Sequence, residues 1–183
     1  MKYTLTNVLT ILAVSLGAFA QAPDQAAIDK ALLAAPGNLK AGATVVKWKS
    51  DFTYDTLKKG TGNLVCYDKS GQPNQPAFMV ECTSAGNLNR AAQNMKFEAL
   101  GDKAKVQAAL DAAEKDGTRV KPEFGSVWYH VMGADAEHAR THMTIAVPGA
   151  TTQSLGLPEN NKQGGVWIMN AGTTTAHLMT PGE

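Results

Sequence analysis

The chain has 183 residues, 44% of them hydrophobic and 18% charged, with 17 Lys and Arg against 16 Asp and Glu. So even a balance excludes capture of nucleic acid through clustered positive charge. The length corresponds to one ordinary domain, large enough to bury a core, and no second apolar span, charge block or internal repeat divides it.

Lys2 precedes an uncharged stretch, residues 3–22, whose apolar centre is residues 8–19. A short basic start, an apolar run and small residues form a secretory signal peptide, and Ala18-Phe19-Ala20 fits its cleavage pattern. Thr4, Thr6, Asn7, Thr10 and Ser15 make the run a poor membrane span. The expected organisation is therefore a cleaved signal over 1–20 and a single α+β domain over 21–183, periplasmic or extracellular, with no stable membrane insertion after cleavage. Losing Lys2 takes the 17 basic residues to 16, equal to the acidic ones.

In PDQAAIDKALLAAPG, Asp24 is placed to cap a helix, Ile28, Ala31, Leu32 and Ala35 form one stripe, and Pro36-Gly37 ends it. The period then changes to that of strands near 43–49, 52–57 and 63–68, with turn chemistry at Ser50-Asp51 and at Lys59-Gly60-Thr61-Gly62. The run NLVCYD and the later FMVECT flank a loop rich in turn formers, so a hairpin centred on Asn74 brings Cys66 opposite Cys82. In an exported protein two facing cysteines oxidise, and a disulfide is expected. These four strands read as an antiparallel meander.

From residue 84 to 117 the pattern is helical, clearest in DKAKVQAALDAAEKDG, where Val106, Ala109, Leu110 and Ala113 share a face. In RAAQNMKFEAL, helix competes with strand, because Met95, Phe97 and Ala99 also alternate. Strands follow at 126–132, 141–147, 165–170 and 174–179, with residues 154–165 as the longest loop. Helix, strands, helices and strands again make an α+β fold: an antiparallel sheet, two or three helices and one disulfide hairpin.

Three of the four histidines fall in GSVWYHVMGADAEHARTHMTIAVPG and the fourth in TAHLM. Alternation on a strand puts Trp128, His130 and Met132 on one face, and likewise Thr175, His177 and Met179. Two His-x-Met pairs offer imidazole and thioether donors, a set suited to copper, so His130, Met132, His177 and Met179 are the candidate metal ligands, with Trp128 beside them. A buried central strand filled by Met, Trp and a hydrogen-bonded histidine explains the same residues without a ligand.

His138 and His142 stand four apart, a zinc spacing if EHARTH were helical, yet THMTIAV alternates as a strand. Read as a strand, Arg140 and His142 lie on an outer face, able to meet an anion or simply solvated. Trp167, in the nearly uncharged GGVWIMNAGTTTAHLM, completes the ligand-binding candidates Trp128, Arg140, His142 and Trp167. That segment also suits self-association if it forms a sheet edge. For a hydrolase, no nucleophile motif declares itself; Ser126 and Ser154 are unsupported. The expectation is a non-catalytic binding module for a small ligand, a protein or a metal such as copper or zinc, with a hydrolase using His142 or His177 as general base, or a self-associating surface protein, as the alternatives.

Overall fold

The computed structural model describes residues 22–181; the expected signal peptide lies outside them. The first helix, α1 (Ala22–Ala31), continues as a 3-10 turn over Leu32–Ala34 and stops at Pro36-Gly37. Eight strands form one sheet: β1 (Thr44–Trp48), β2 (Tyr54–Lys58), β3 (Leu64–Asp68), β4 (Phe78–Ser84), β5 (Val127–Gly133), β6 (Arg140–Ala146), β7 (Trp167–Met169) and β8 (His177–Met179). Between β4 and β5 lie α2 (Leu88–Glu98) and α3 (Lys103–Asp116), and a single turn, α4 (Thr152–Leu155), follows β6. The architecture is α+β. No helix among the described residues is long and apolar enough to cross a membrane.

The strand order is β2-β1-β3-β4-β5-β6-β8-β7, and every pair except β1 with β3 is antiparallel. The expected meander is corrected here: β3 does not pair with β2 but crosses over to the far side of β1. Residues 59–63 are thus a crossover and not a hairpin turn. Gly60 permits it, because a Cβ there would lie 2.1 Å from the Gly42 carbonyl oxygen and 2.5 Å from the Ala43 carbonyl carbon. Only glycine lets two backbones pass so closely.

The β3–β4 hairpin has the register expected of it. Cys66 pairs with Cys82 across the ladder and the two are disulfide-bonded, while Asn74 at the centre of the loop has φ 61°. Strand alternation then sorts the core into two layers. On one face Val45, Cys66, Phe78, Val80 and Cys82 pack under Ala31, Leu32 and Ala34 of the first helical segment. On the other, Val46, Val65, Tyr67, Trp128 and Ala146 pack under Ala91 and Leu88 of α2.

The ambiguous RAAQNMKFEAL segment is helix. Ala91 and Met95 point into the core, and Phe97 rests beneath the Arg119 guanidinium at 5.3 Å. Of the alternating set only Met95 is buried, Phe97 being half-buried and Ala99 exposed, and the buried pair Ala91 and Met95 has the helical spacing of four. Asp102 caps α3 by accepting from the Lys105 N–H at 2.9 Å, and Gly117 ends it in the left-handed region.

Residues 154–165 include the end of α4 and a 3-10 turn over Asn161–Gln163 and fold back on the sheet margin: the Ile168 N–H of the edge strand β7 donates to the Pro158 carbonyl at 2.9 Å. Ile168 itself is fully buried with Val147 and Ala176.

Candidate functional site

The half of the sheet formed by β5, β6 and β8 lies only partly beneath α2, and a cleft of about 340 Å³ opens between them. That volume is at the lower end of small-molecule sites. Trp128, His130 and Met132 of β5, His142 and Thr144 of β6 and His177 of β8 reach it from the sheet, with Met79 and Glu81 of β4 beside them. Arg90, Asn94 and Glu98 of α2 line it from above. A second cleft on the opposite face has nearly the same volume, about 330 Å³, but no histidine, acid or base lines it.

The cleft rests on a buried charge cluster that the sequence reading did not single out. Glu81 is 4% exposed and Lys69 5%. The Lys69 ammonium lies 3.0 Å from Glu98 Oε2 and 3.8 Å from Glu81 Oε2. Tyr67 donates its hydroxyl to Glu81 Oε1 at 2.5 Å, and His130 Nδ1 stands 3.4 Å from Glu81 Oε2. Burial by itself raises the Glu81 pKa, but the Lys69 charge, then His130 and the Tyr67 hydroxyl outweigh it and hold the carboxyl at about 2. Burial and the same carboxylate keep Tyr67 protonated. An ionised glutamate is therefore fixed behind His130, facing its Nδ1, and this leaves Nε2 for the cleft.

His130 and His142 are cross-strand partners, and their rings stack with centroids 5.8 Å apart. Burial, together with the neighbouring His130 and His177, lowers the His142 pKa below 6.5 and favours its neutral form. His177 donates Nδ1–H to the Thr175 carbonyl at 2.8 Å, so its Nε2 is the lone-pair nitrogen. The turn carrying Thr174 and Thr175 is tied down from both sides: Arg90 donates to both hydroxyls, at 3.2 and 2.7 Å, and Glu114 of α3 accepts from the Thr174 N–H at 3.1 Å.

Of the expected metal ligands, His130, Met132 and His177 line the cleft and Met179 does not. Strands β5 and β8 are not neighbours, because β6 runs between them. The register puts His130 in the row of His142, Trp128 in the row of Thr144 and Met179, and His177 in the row of Ala146. The two His-x-Met pairs share a face but sit two rows out of step. Among the described residues no three His, Cys, Asp or Glu side chains are gathered closely enough to hold a metal ion.

Of the expected ligand-binding residues, Trp128 and His142 line the cleft, while Arg140 is exposed at the start of β6 and Trp167 lies on β7 outside it. The helical zinc spacing is not realised, since His142 is on a strand and His138 lies in the preceding turn, 2.8 Å from Asp135 Oδ1. Ser126 is engaged by the Glu123 carbonyl and Asn87, and Ser154 by Thr151.

Lys69 and Glu81 were within reach of the sequence. A hairpin centred on Asn74 that faces Cys66 with Cys82 also faces Tyr67 with Glu81, on the opposite side of the sheet. A charge inside the apolar run FMVECT marks a buried site that needs partners. No protein-family model matches the chain, and no curated protein or solved structure matches it either.

Proposed function

We propose that this is a non-catalytic binding module of the periplasm or extracellular space, and that its ligand occupies the cleft between α2 and strands β5, β6 and β8. One observation carries the reading. Three of the four imidazoles, from three different strands, converge on a single cleft whose fixed charges, Lys69 and Arg90 against Glu81 and Glu98, cancel. Lys69 is paired with Glu81 and Glu98, and Arg90 is engaged by the Val120 carbonyl and the Thr174 and Thr175 hydroxyls, so the groups left to meet a ligand are imidazole Nε2 atoms, the Thr144 hydroxyl and the apolar surfaces of Trp128, Met79 and Met132. Such a wall selects a small ligand with an apolar body and one or two acceptor or donor points, or a soft cation. The disulfide and the leader-like N-terminus support the exported location.

A thermal-shift screen of small organic acids, amines and metal ions tests this. A ligand at a hundred times its Kd adds about 2.7 kcal/mol to the folded state, and the midpoint rises by several degrees. That rise is expected to disappear in His142→Ala. If every stabilising compound acts equally on wild type and His142→Ala, the cleft is not the binding site.

A hydrolase is favoured by one specific feature, the His142 imidazole kept neutral beside a carboxylate-backed His130. In that reading His142 is the general base for a bound water, and turnover on an ester panel rises with pH through a midpoint below 6.5. A flat profile, or full turnover by His142→Gln, removes it.

A further inference from the structure

We infer that the occupant of the cleft is a single Cu(I) ion, held by His130, His142 and Met132; this rests on the binding-module reading above. His130 and His142 are cross-strand partners, which places their Cβ atoms about 5 Å apart. Met132 is the next residue on the same face of β5, about 7 Å along the strand. All three side chains open into the same cleft. Three donors from two hydrogen-bonded strands form a triangle that two ring rotations and one flexible thioether can close on an ion.

The donor chemistry decides which ion. Met132 contributes a soft thioether, and both cysteines are tied in the disulfide, so thioether sulfur is the soft donor that remains. The His142 ring stacks against the His130 ring, with centroids 5.8 Å apart. The Glu81 carboxylate stands behind His130, 3.4 Å from its Nδ1, in the outer-shell place that a carboxylate takes beside a metal-bound histidine. Glu81 is itself anchored by Tyr67 and Lys69, so it acts behind the ligand and does not reach the ion. Zinc asks for a third or fourth nitrogen, thiolate or carboxylate, and no such cluster of three exists among the described residues. Imidazole and thioether in a three-coordinate set suit Cu(I).

The test is an anaerobic Cu(I) titration of the disulfide-intact chain against a colorimetric Cu(I) chelator, with the methionine methyl resonances followed by NMR. One Cu(I) per chain is expected, with the Met132 methyl shifted. Met132→Leu preserves shape and volume, so it keeps the fold, and it is expected to weaken binding about tenfold or more; His142→Ala is expected to weaken it further. Glu81→Gln is expected to cost about 10–100-fold, as outer-shell carboxylates do. Met179→Leu and His138→Gln leave affinity unchanged. Absence of binding, unchanged affinity in Met132→Leu, or zinc displacing Cu(I) at equal concentration overturns the inference. If an organic compound moves the His130, His142 and His177 resonances while Cu(I) does not bind, the copper inference fails and the binding module stands. If Cu(I) binds without moving those histidines, both fail.

Discussion

Replacing Glu81 by glutamine tests the charge cluster beneath the cleft. Its carboxyl is held at about 2, against 4.5 for an unconstrained glutamate. At ~1.4 kcal/mol for each pH unit, the difference amounts to about 3 kcal/mol of stability. Because the folded-state value is the lower one, this contribution is complete above pH 4.5 and is lost as pH falls toward 2; linkage puts roughly 2 kcal/mol of it already gone at pH 3. Glutamine keeps an acceptor for the Tyr67 hydroxyl but removes the charge that pairs with Lys69 and His130. Glu81→Gln is therefore expected to be about 3 kcal/mol less stable than wild type at pH 7, with the difference nearly constant down to about pH 5 and shrinking from there to pH 3. Urea unfolding of both proteins at half-unit steps between pH 7 and 3 reads this directly. The other acids with lowered pKa, among them Asp68 and Glu114, act equally in both proteins and cancel in the comparison. A stability difference that stays constant from pH 7 to 3 refutes the reasoning, because Glu81 would then not be the group that titrates.

Three other outcomes follow from the geometry. Gly60→Ala places a methyl group against the Gly42 and Ala43 backbone, at 2.1 and 2.5 Å, and is expected to cost several kcal/mol in urea unfolding, in the upper range of single substitutions; Gly37→Ala, with nothing within 4 Å, is expected to be neutral or slightly stabilising. Reducing the Cys66–Cys82 disulfide, which spans 16 residues, is expected to cost up to about 3 kcal/mol by the chain-entropy estimate, read as the difference in unfolding midpoint with and without reductant. In an NMR titration the His142 imidazole is expected to have its midpoint below 6.5, and His130→Asn to raise it by removing one source of repulsion; a midpoint at or above 6.5 contradicts the packing of the three rings.

The local elements were legible because each carries its own signal. Asp102 and Gly117 bound α3 as capping chemistry requires, and the turn residues around Asn74 fixed a register that put Cys66 opposite Cys82. Pairing order is different, since it is decided by contacts between distant segments. Nothing in Lys59-Gly60-Thr61-Gly62 distinguishes a hairpin turn from a passage over the start of β1; that choice is made by the packing of Val45 and Cys66 in one layer and Val46 and Val65 in the other. The same limit governs the site. Alternation correctly put Trp128, His130 and Met132 on one face, but the insertion of β6 between β5 and β8 gave His130 the partner His142 and separated it from Met179. Hairpin register alone puts Glu81 opposite Tyr67, but the pairing with Lys69 and Glu98 depends on α2 covering that face, which no local signal encodes.

The most direct test of the account is a histidine-labelled NMR spectrum recorded before and after saturation with any compound or ion that raises the thermal midpoint. The His130, His142 and His177 imidazole signals are expected to move together while His138, paired with Asp135 in its exposed turn, stays in place. A saturating ligand that leaves those three signals unmoved contradicts it.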